Sequence, residues 1–355
     1  MKNISRFVLP LMILFAACKK DDVIQGVPQT SPAKGIYILS EGSFGGNNSK
    51  IAYRNIANSA VVSDFYRQQN NKDLGDTGND AIIYGGKIYI VLNGSGYVAV
   101  ANAFTATYID SVSFKTGSIN KGPRNLIGIN GKVFVSSSDG TVSVIDTSSL
   151  TITSSIAVGN NPEGIASAGN YLYVANSGGF NYPNVDSTVS VIDLTTLSEV
   201  KKITVGKNPY QMAASSTGDI YVTALGVGSS ILPSVSVIDG ATNTLKTILP
   251  SEIQYSHVKT FKNVAYFYNQ FGATNILMLN TDNNTVIRTN FISDGTNINT
   301  VYGVSIDSEN EDVYVTDAKD YFSNGEVFCF DKNGTTKYSF LLNPGVNPSK
   351  VLFIR

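Results

Sequence analysis

The amino-acid sequence predicts an all-β protein, a seven-bladed β-propeller of four-stranded blades closed by pairing the C-terminal strand with the first blade. Three observations carry this expectation. Gly, Val, Ile, Ser, Thr, Tyr and Phe dominate and no long stretch has helical apolar spacing; an apolar triplet centred on an aromatic recurs seven times; and the two ends of the repeat region are complementary parts of one unit.

The recurring aromatics are Tyr37, Tyr89, Phe134, Tyr173, Tyr221, Tyr266 and Tyr314, spaced 39 to 52 residues apart. After each comes a polar loop and an alternating strand, at 49–56, 96–103, 140–147, 187–194, 233–240, 274–281 and 325–332. A hairpin and an outer strand follow, as in 151–158. With a short apolar strand ahead of each aromatic one, a unit holds four strands in 40 to 50 residues, the spacing of a propeller blade. The first unit begins at its aromatic strand, Ile36-Tyr37-Ile38-Leu39, and lacks the inner strand, while the chain ends on an orphan strand at 349–355. The ends therefore complete one blade and leave no open sheet edge.

Small polar residues punctuate the units. Asn102, Asp146, Asp193, Asp239, Asn280 and Asp331 end third strands, where an Asx side chain can accept hydrogen bonds from the turning backbone. Gly159-Asn160-Asn161-Pro162, Gly206-Lys207-Asn208-Pro209 and Gly345-Val346-Asn347-Pro348 set turns that start the next blade. Neither set reads as catalytic.

The first residues have the layout of a secretion signal: Lys2 and Arg6, an apolar run from Phe7 to Phe15, then Ala16-Ala17-Cys18. The run is shorter than the roughly 20 residues of a membrane-spanning helix. Its small-small-Cys ending resembles the lipobox of bacterial lipoproteins, with Phe15 where Leu is common. The resemblance implies a signal peptide at 1–17, acylation of Cys18 and a flexible tether over 18–34, ahead of a propeller at 35–355. Lys19-Lys20-Asp21-Asp22 resembles the signal that sends lipoproteins of Bacteroidetes to the outer cell surface. The implied location is the outer membrane, lipid-anchored and surface-exposed. Cys329, within Val327-Phe328-Cys329-Phe330, reads as a buried, inert thiol.

The middle units, with Leu172-Tyr173-Val174-Ala175-Asn176, Val189-Ser190-Val191-Ile192-Asp193 and the Gly-x-Asn-Pro linkers, resemble the YVTN repeats of surface-layer and YncE-like propellers. The likeness extends over nearly all of 35–355 and is weakest in the first, second and sixth units. Signal, export motif, length and repeat also resemble the BtuG group, whose members capture cobalamin for an outer-membrane transporter. No cobalamin-specific motif accompanies them.

For function, the sequence directs attention to the mouth of the propeller, where inter-blade linkers and the loops between second and third strands emerge. Those loops fall at 42–48, 93–96, 136–139, 176–186, 224–232, 269–273 and 317–324, and carry Phe44, Phe180, Tyr182, Phe271, Tyr321 and Phe322. Counting back from each aromatic gives a ring at the start of the inner strands: Asn79, Arg124, Glu163, Tyr210, Ser256, Tyr302 and Ser349, with the only histidine, His257, beside it. Seven equivalent positions with unlike residues suit an asymmetric small ligand. The expected role is non-enzymatic ligand binding, accessory to nutrient uptake, with a cobalamin-type cargo as the leading specific guess and no cofactor or metal. A protein or matrix interaction platform is the alternative. An enzyme needs other parts: there is no HxH, CxxC or GxSxG, and no Trp of the kind that recurs in quinoprotein propellers, although a lactonase-like trio of Arg124, Glu163 and His257 stays conceivable. With 26 basic and 27 acidic residues and no basic run, the electrostatic footprint of a nucleic-acid binder is missing.

Overall fold

Alternating apolar strands separated by Asx and Gly turns give seven antiparallel four-stranded sheets in the computed structural model, which describes residues 34–355. The predicted signal peptide, the predicted acylation site at Cys18 and nearly all of the predicted tether lie outside the described residues. In the first blade the innermost strand is the C-terminal Pro348–Ile354, followed outward by Gly35–Ser40, Lys50–Asn55 and the short Val61–Val62. The other innermost strands are Gly78–Tyr84, Pro123–Ile129, Pro162–Ala168, Pro209–Ala214, His257–Phe261 and Val301–Ile306. Each innermost strand packs against the next, and the last, Pro348–Ile354, packs against both Val301–Ile306 and Gly78–Tyr84, so the ring is closed.

The seven repeat aromatics are all buried in the second strands, at 0 to 5% exposure, between sheets that twist against one another. Some reach further. The Tyr173 hydroxyl donates to the Asn243 side chain, and the Tyr221 hydroxyl donates to Asn284 Oδ1 at 2.5 Å, so each ties one blade to the outer turn of the next. The Asx turns form as expected: Asp146 Oδ1 accepts from the amides of Ser148 and Ser149, Asp193 Oδ1 from those of Thr195 and Thr196, and Asp239 Oδ1 from those of Ala241 and Thr242. Those bonds hold all three carboxyls below their ordinary range, as befits charged acceptors in turns. Cys329 is buried, and burial pushes its thiol up to about 11.

Two elements depart from the pure repeat. A helix at Phe65–Asn70, capped by the Asp64 side chain, packs on Lys50–Asn55 and buries Tyr66 beside the two-residue outer strand. A small hairpin pairs Lys115–Thr116 with Ile119–Asn120. No helix among the described residues is long and apolar enough to cross a membrane.

One irregularity positions the site. In six blades the register between innermost and second strands shifts near the mouth, so two residues oppose one, as between Pro123 and Leu126 or Gly78 and Asp80. Such a bulge turns a side chain that regular alternation would place elsewhere. The sixth blade has no shift: His257 pairs with Tyr268 in plain antiparallel register. The strands also crowd the axis here. A Cβ on Gly303 would come within 2.0 Å of the Ser349 carbonyl oxygen, so only glycine fits beside Tyr302.

Candidate functional site

The bulged starts of the inner strands converge on an axial cavity of about 240 Å³. Asn79, Arg124, Tyr210, His257, Phe271, Tyr302 and Ser349 line it, so seven of the residues expected at the mouth meet there. The sixth blade corrects one expectation. Without a bulge, Ser256 does not enter the lining, and His257 stands in its place. Ser256 Oγ lies 2.7 Å from His257 Nδ1 and holds the ring from behind.

Around the second, third and fourth blades the lining is locked together. Arg124 donates through Nε to Glu163 Oε2 and through an η nitrogen to Asn79 Oδ1, both at 2.8 Å. Asn79 Nδ2 returns a bond to the Arg124 carbonyl oxygen at 2.7 Å. Glu163 is thus a partner of the ring and not part of the cavity lining; burial pushes its carboxyl up and Arg124 opposes that rise. Between the first and second blades, Lys350 Nζ pairs with Asp80 Oδ1 at 2.5 Å, while Asp80 Oδ2 accepts the Leu126 amide.

Opposite, the wall is aromatic. His257 stacks on Tyr268, with centroids 5.0 Å apart and 25° between planes, and meets Tyr210 edge-on at 5.3 Å. Burial, reinforced by Lys259, pushes the imidazole down to about 3, so it is neutral at physiological pH. The Tyr302 hydroxyl donates to Glu41 Oε2 at 2.8 Å. Burial raises the Glu41 carboxyl to about 7 against the pull of that bond and of Arg124. Lys259, deeper on the axis, is pushed down to about 8 by burial and then by Lys350. Tyr210 is raised to about 12, chiefly by burial.

The rim above carries exposed rings. Phe271 stacks on Tyr321 at 5.4 Å and 26°, and Tyr321 in turn meets Tyr302 edge-on at 6.2 Å. The Tyr321 hydroxyl donates to the Gln270 carbonyl oxygen, so this predicted loop residue supports the rim and does not line the cavity. Phe44 stands apart from the axis, facing Phe180 across a second groove floored by Asn93, Asn120, Ser138 and Asp139. Tyr182 joins neither space and lies against the loop at Gly228. Among the described residues no cluster of three His, Cys, Asp or Glu side chains is placed to hold a metal ion.

Residues 34–353 match the family model described as a domain of unknown function, DUF5074. The chain belongs to that family. No curated protein matches it. Among solved structures, the chain resembles a quinonprotein alcohol dehydrogenase-like protein from Bacteroides thetaiotaomicron, at 15% identity over 90% of this chain and 78% of the other, with a TM-score of 0.66. It also resembles the Kuenenia stuttgartiensis hydrazine synthase, at 18% identity over 72% and 77% with a TM-score of 0.58. A computationally designed protein, Ika8, matches at 13% identity over 88% and 89%, with a TM-score of 0.56. At such identities the likeness is one of fold alone.

Sequence reasoning missed Glu41, Asp80, Lys259, Tyr268 and Lys350, all of which line the cavity. A signal existed for the two lysines. Each interrupts an inner strand that is otherwise apolar or small, Val258-Lys259-Thr260 and Lys350-Val351-Leu352. A charge at such a place has to face the axis or a partner.

Proposed function

We propose that this protein captures a small polar ligand at the mouth of its propeller without transforming it, as a lipid-anchored, surface-exposed accessory to outer-membrane nutrient uptake. The observation that carries this reading is the axial cavity: six of the seven inner strands deliver unlike polar and aromatic residues to one partly charged space. The anchoring follows from the lipobox-like Ala16-Ala17-Cys18 and the acidic pair after it.

Geometry speaks against acid–base work by the conceivable lactonase-like trio. Arg124 is held by Glu163 and Asn79, and Glu163 is turned to Arg124. His257, with its proton affinity far below the neutral range, is a poor general base. A corrinoid is among the cargoes that the reading covers. It exceeds a cavity of about 240 Å³ and would lie across the rim, against Phe271. Calorimetric titration of the purified protein with cobalamin, cobinamide and a panel of small acids, alcohols and amides tests the proposal. Heat that disappears in Tyr302→Ala supports capture at the mouth; binding unchanged by Tyr302→Ala and Phe271→Ala sinks it.

A second reading, a docking platform for an outer-membrane partner, draws on the exposed rims: Phe44, Phe180 and Phe322 are each at least 80% exposed. Crosslinking in intact cells would recover such a partner, and its loss in Phe44→Ser with Phe180→Ser would place it on that rim.

A further inference from the structure

We propose that the axial cavity is an anion site, in which a carboxylate or phosphate group of the captured ligand docks on Lys259. The proposal deepens the mouth-binding reading and rests on it. It comes from a census of the charges that line the cavity: Glu41, Asp80, Arg124, Lys259 and Lys350. Four of the five are engaged within the protein. Arg124 is held by Glu163 and Asn79, Lys350 by Asp80, Asp80 also by the Leu126 amide, and Glu41 by the Tyr302 hydroxyl. Lys259 is different. Among the described residues no carboxylate lies within 4.0 Å of its ammonium and no hydrogen bond engages it.

An ammonium held half out of water without a partner costs the fold stability. Lys259 feels both burial and the second ammonium of Lys350, and the Asp80 carboxylate that partly offsets them is bonded to Lys350. Two positive groups therefore share the axis with one carboxylate pairing only one of them. Other unanswered groups at the cavity are donors too. Asn125, 8% exposed, lines the cavity with an amide nitrogen that has no partner. Anions satisfy N–H donors and a bare ammonium together, through the short charge-assisted bonds that carry most strength. The shape agrees. The cavity admits a head group such as a carboxylate or phosphate and leaves the rest of the ligand on the aromatic rim at Phe271.

A structural lysine and a binding lysine predict opposite results, which makes the idea testable. Inorganic phosphate and acetate are titrated into the purified full chain by calorimetry, and melting is followed for each variant. Wild type is expected to bind at least one of the two anions. Lys259→Met should weaken that binding about tenfold or more, the effect of one charge-assisted hydrogen bond. The same variant should melt above wild type, because a half-buried charge without a partner is gone. Lys259→Arg should retain binding, and Lys332→Met, on the exposed surface, should change nothing. Lys259→Gln serves as a second neutral variant should Lys259→Met fold poorly. Anion affinity equal in wild type and the neutral variants, or neutral variants that melt lower than wild type, would overturn the proposal. If uncharged ligands or cobinamide bind at the mouth while phosphate and acetate do not, the anion site falls and mouth capture stands. Should nothing in either panel bind, both fall.

Discussion

The two halves of the mouth are built on the same repeat and behave differently. Across the second to fourth blades, Asn79, Arg124 and Glu163 bond to one another from blade to blade, and of the polar groups beside them the Asn125 amide nitrogen is left without a partner. Across the fifth to seventh blades, Tyr210, His257, Tyr268 and Tyr302 present rings, and Lys259 stands without a partner. The first half is a clasp that holds blades together at a point where backbone pairing has given way to bulges. The second leaves its polar capacity open, and an incompletely satisfied wall is one that a ligand can complete. Charge near an axis is therefore no sign of function by itself; whether its partner lies inside the protein decides.

This contrast can be broken by substitution, and the largest effect is expected in the clasp. Arg124→Ala leaves Glu163 and Asn79 unanswered, and for a partly buried pair we expect a loss of about 3 kcal/mol in urea unfolding. Little change would mean that water replaces the guanidinium and that the clasp is ornamental. The next effect concerns Glu41. Its carboxyl lies at about 7 in the folded protein against an ordinary value of 4.5. Between these values the folded state holds the proton and the unfolded state does not, so stability is fully present below about 4.5 and falls as pH rises to about 7. Glu41→Gln should remove that slope and gain about 2 kcal/mol at pH 8, read from melting curves across the pH range. A parallel slope in the variant would assign the titration elsewhere.

A smaller effect is expected at Tyr302. Tyr302→Phe deletes the bond to Glu41 and should cost about 1 kcal/mol, while moving the pH window upward, because that bond helps to hold the carboxyl down. Smallest of all is Phe271→Ala. At 73% exposure the ring contributes within about 0.5 kcal/mol to stability, yet its removal should weaken any ligand that extends from the cavity to the rim. Equal binding by this variant would confine the ligand to the cavity.

Much of the fold was legible in the residues. The seven aromatics are all buried in second strands, Asp146, Asp193 and Asp239 all cap turns, and the orphan strand pairs with Gly35–Ser40. The site was legible in part. Counting back from the aromatics located Asn79, Arg124, Tyr210 and Tyr302, because a shared bulge preserves the count. The same count chose Ser256 where His257 lines the cavity, since nothing local announces that one blade lacks its bulge. Tyr182 and Phe44, chosen as exposed loop aromatics, lie away from the axis, because a loop's length does not say which way it folds.

The sequence by itself determined the blade number, the order of strands within each blade, the split first blade and the membership of the ring in five of seven positions. These follow from period-two alternation and turn chemistry, which act over a few residues and are written locally. Tertiary structure alone decided which charges are answered. Tyr302 reaches Glu41 across 261 residues and Lys350 reaches Asp80 across 270, pairings that exist because the ring closes. The same closure leaves Lys259 unpaired on the axis, and electrostatics of that kind depends on distance in space and on the exclusion of water.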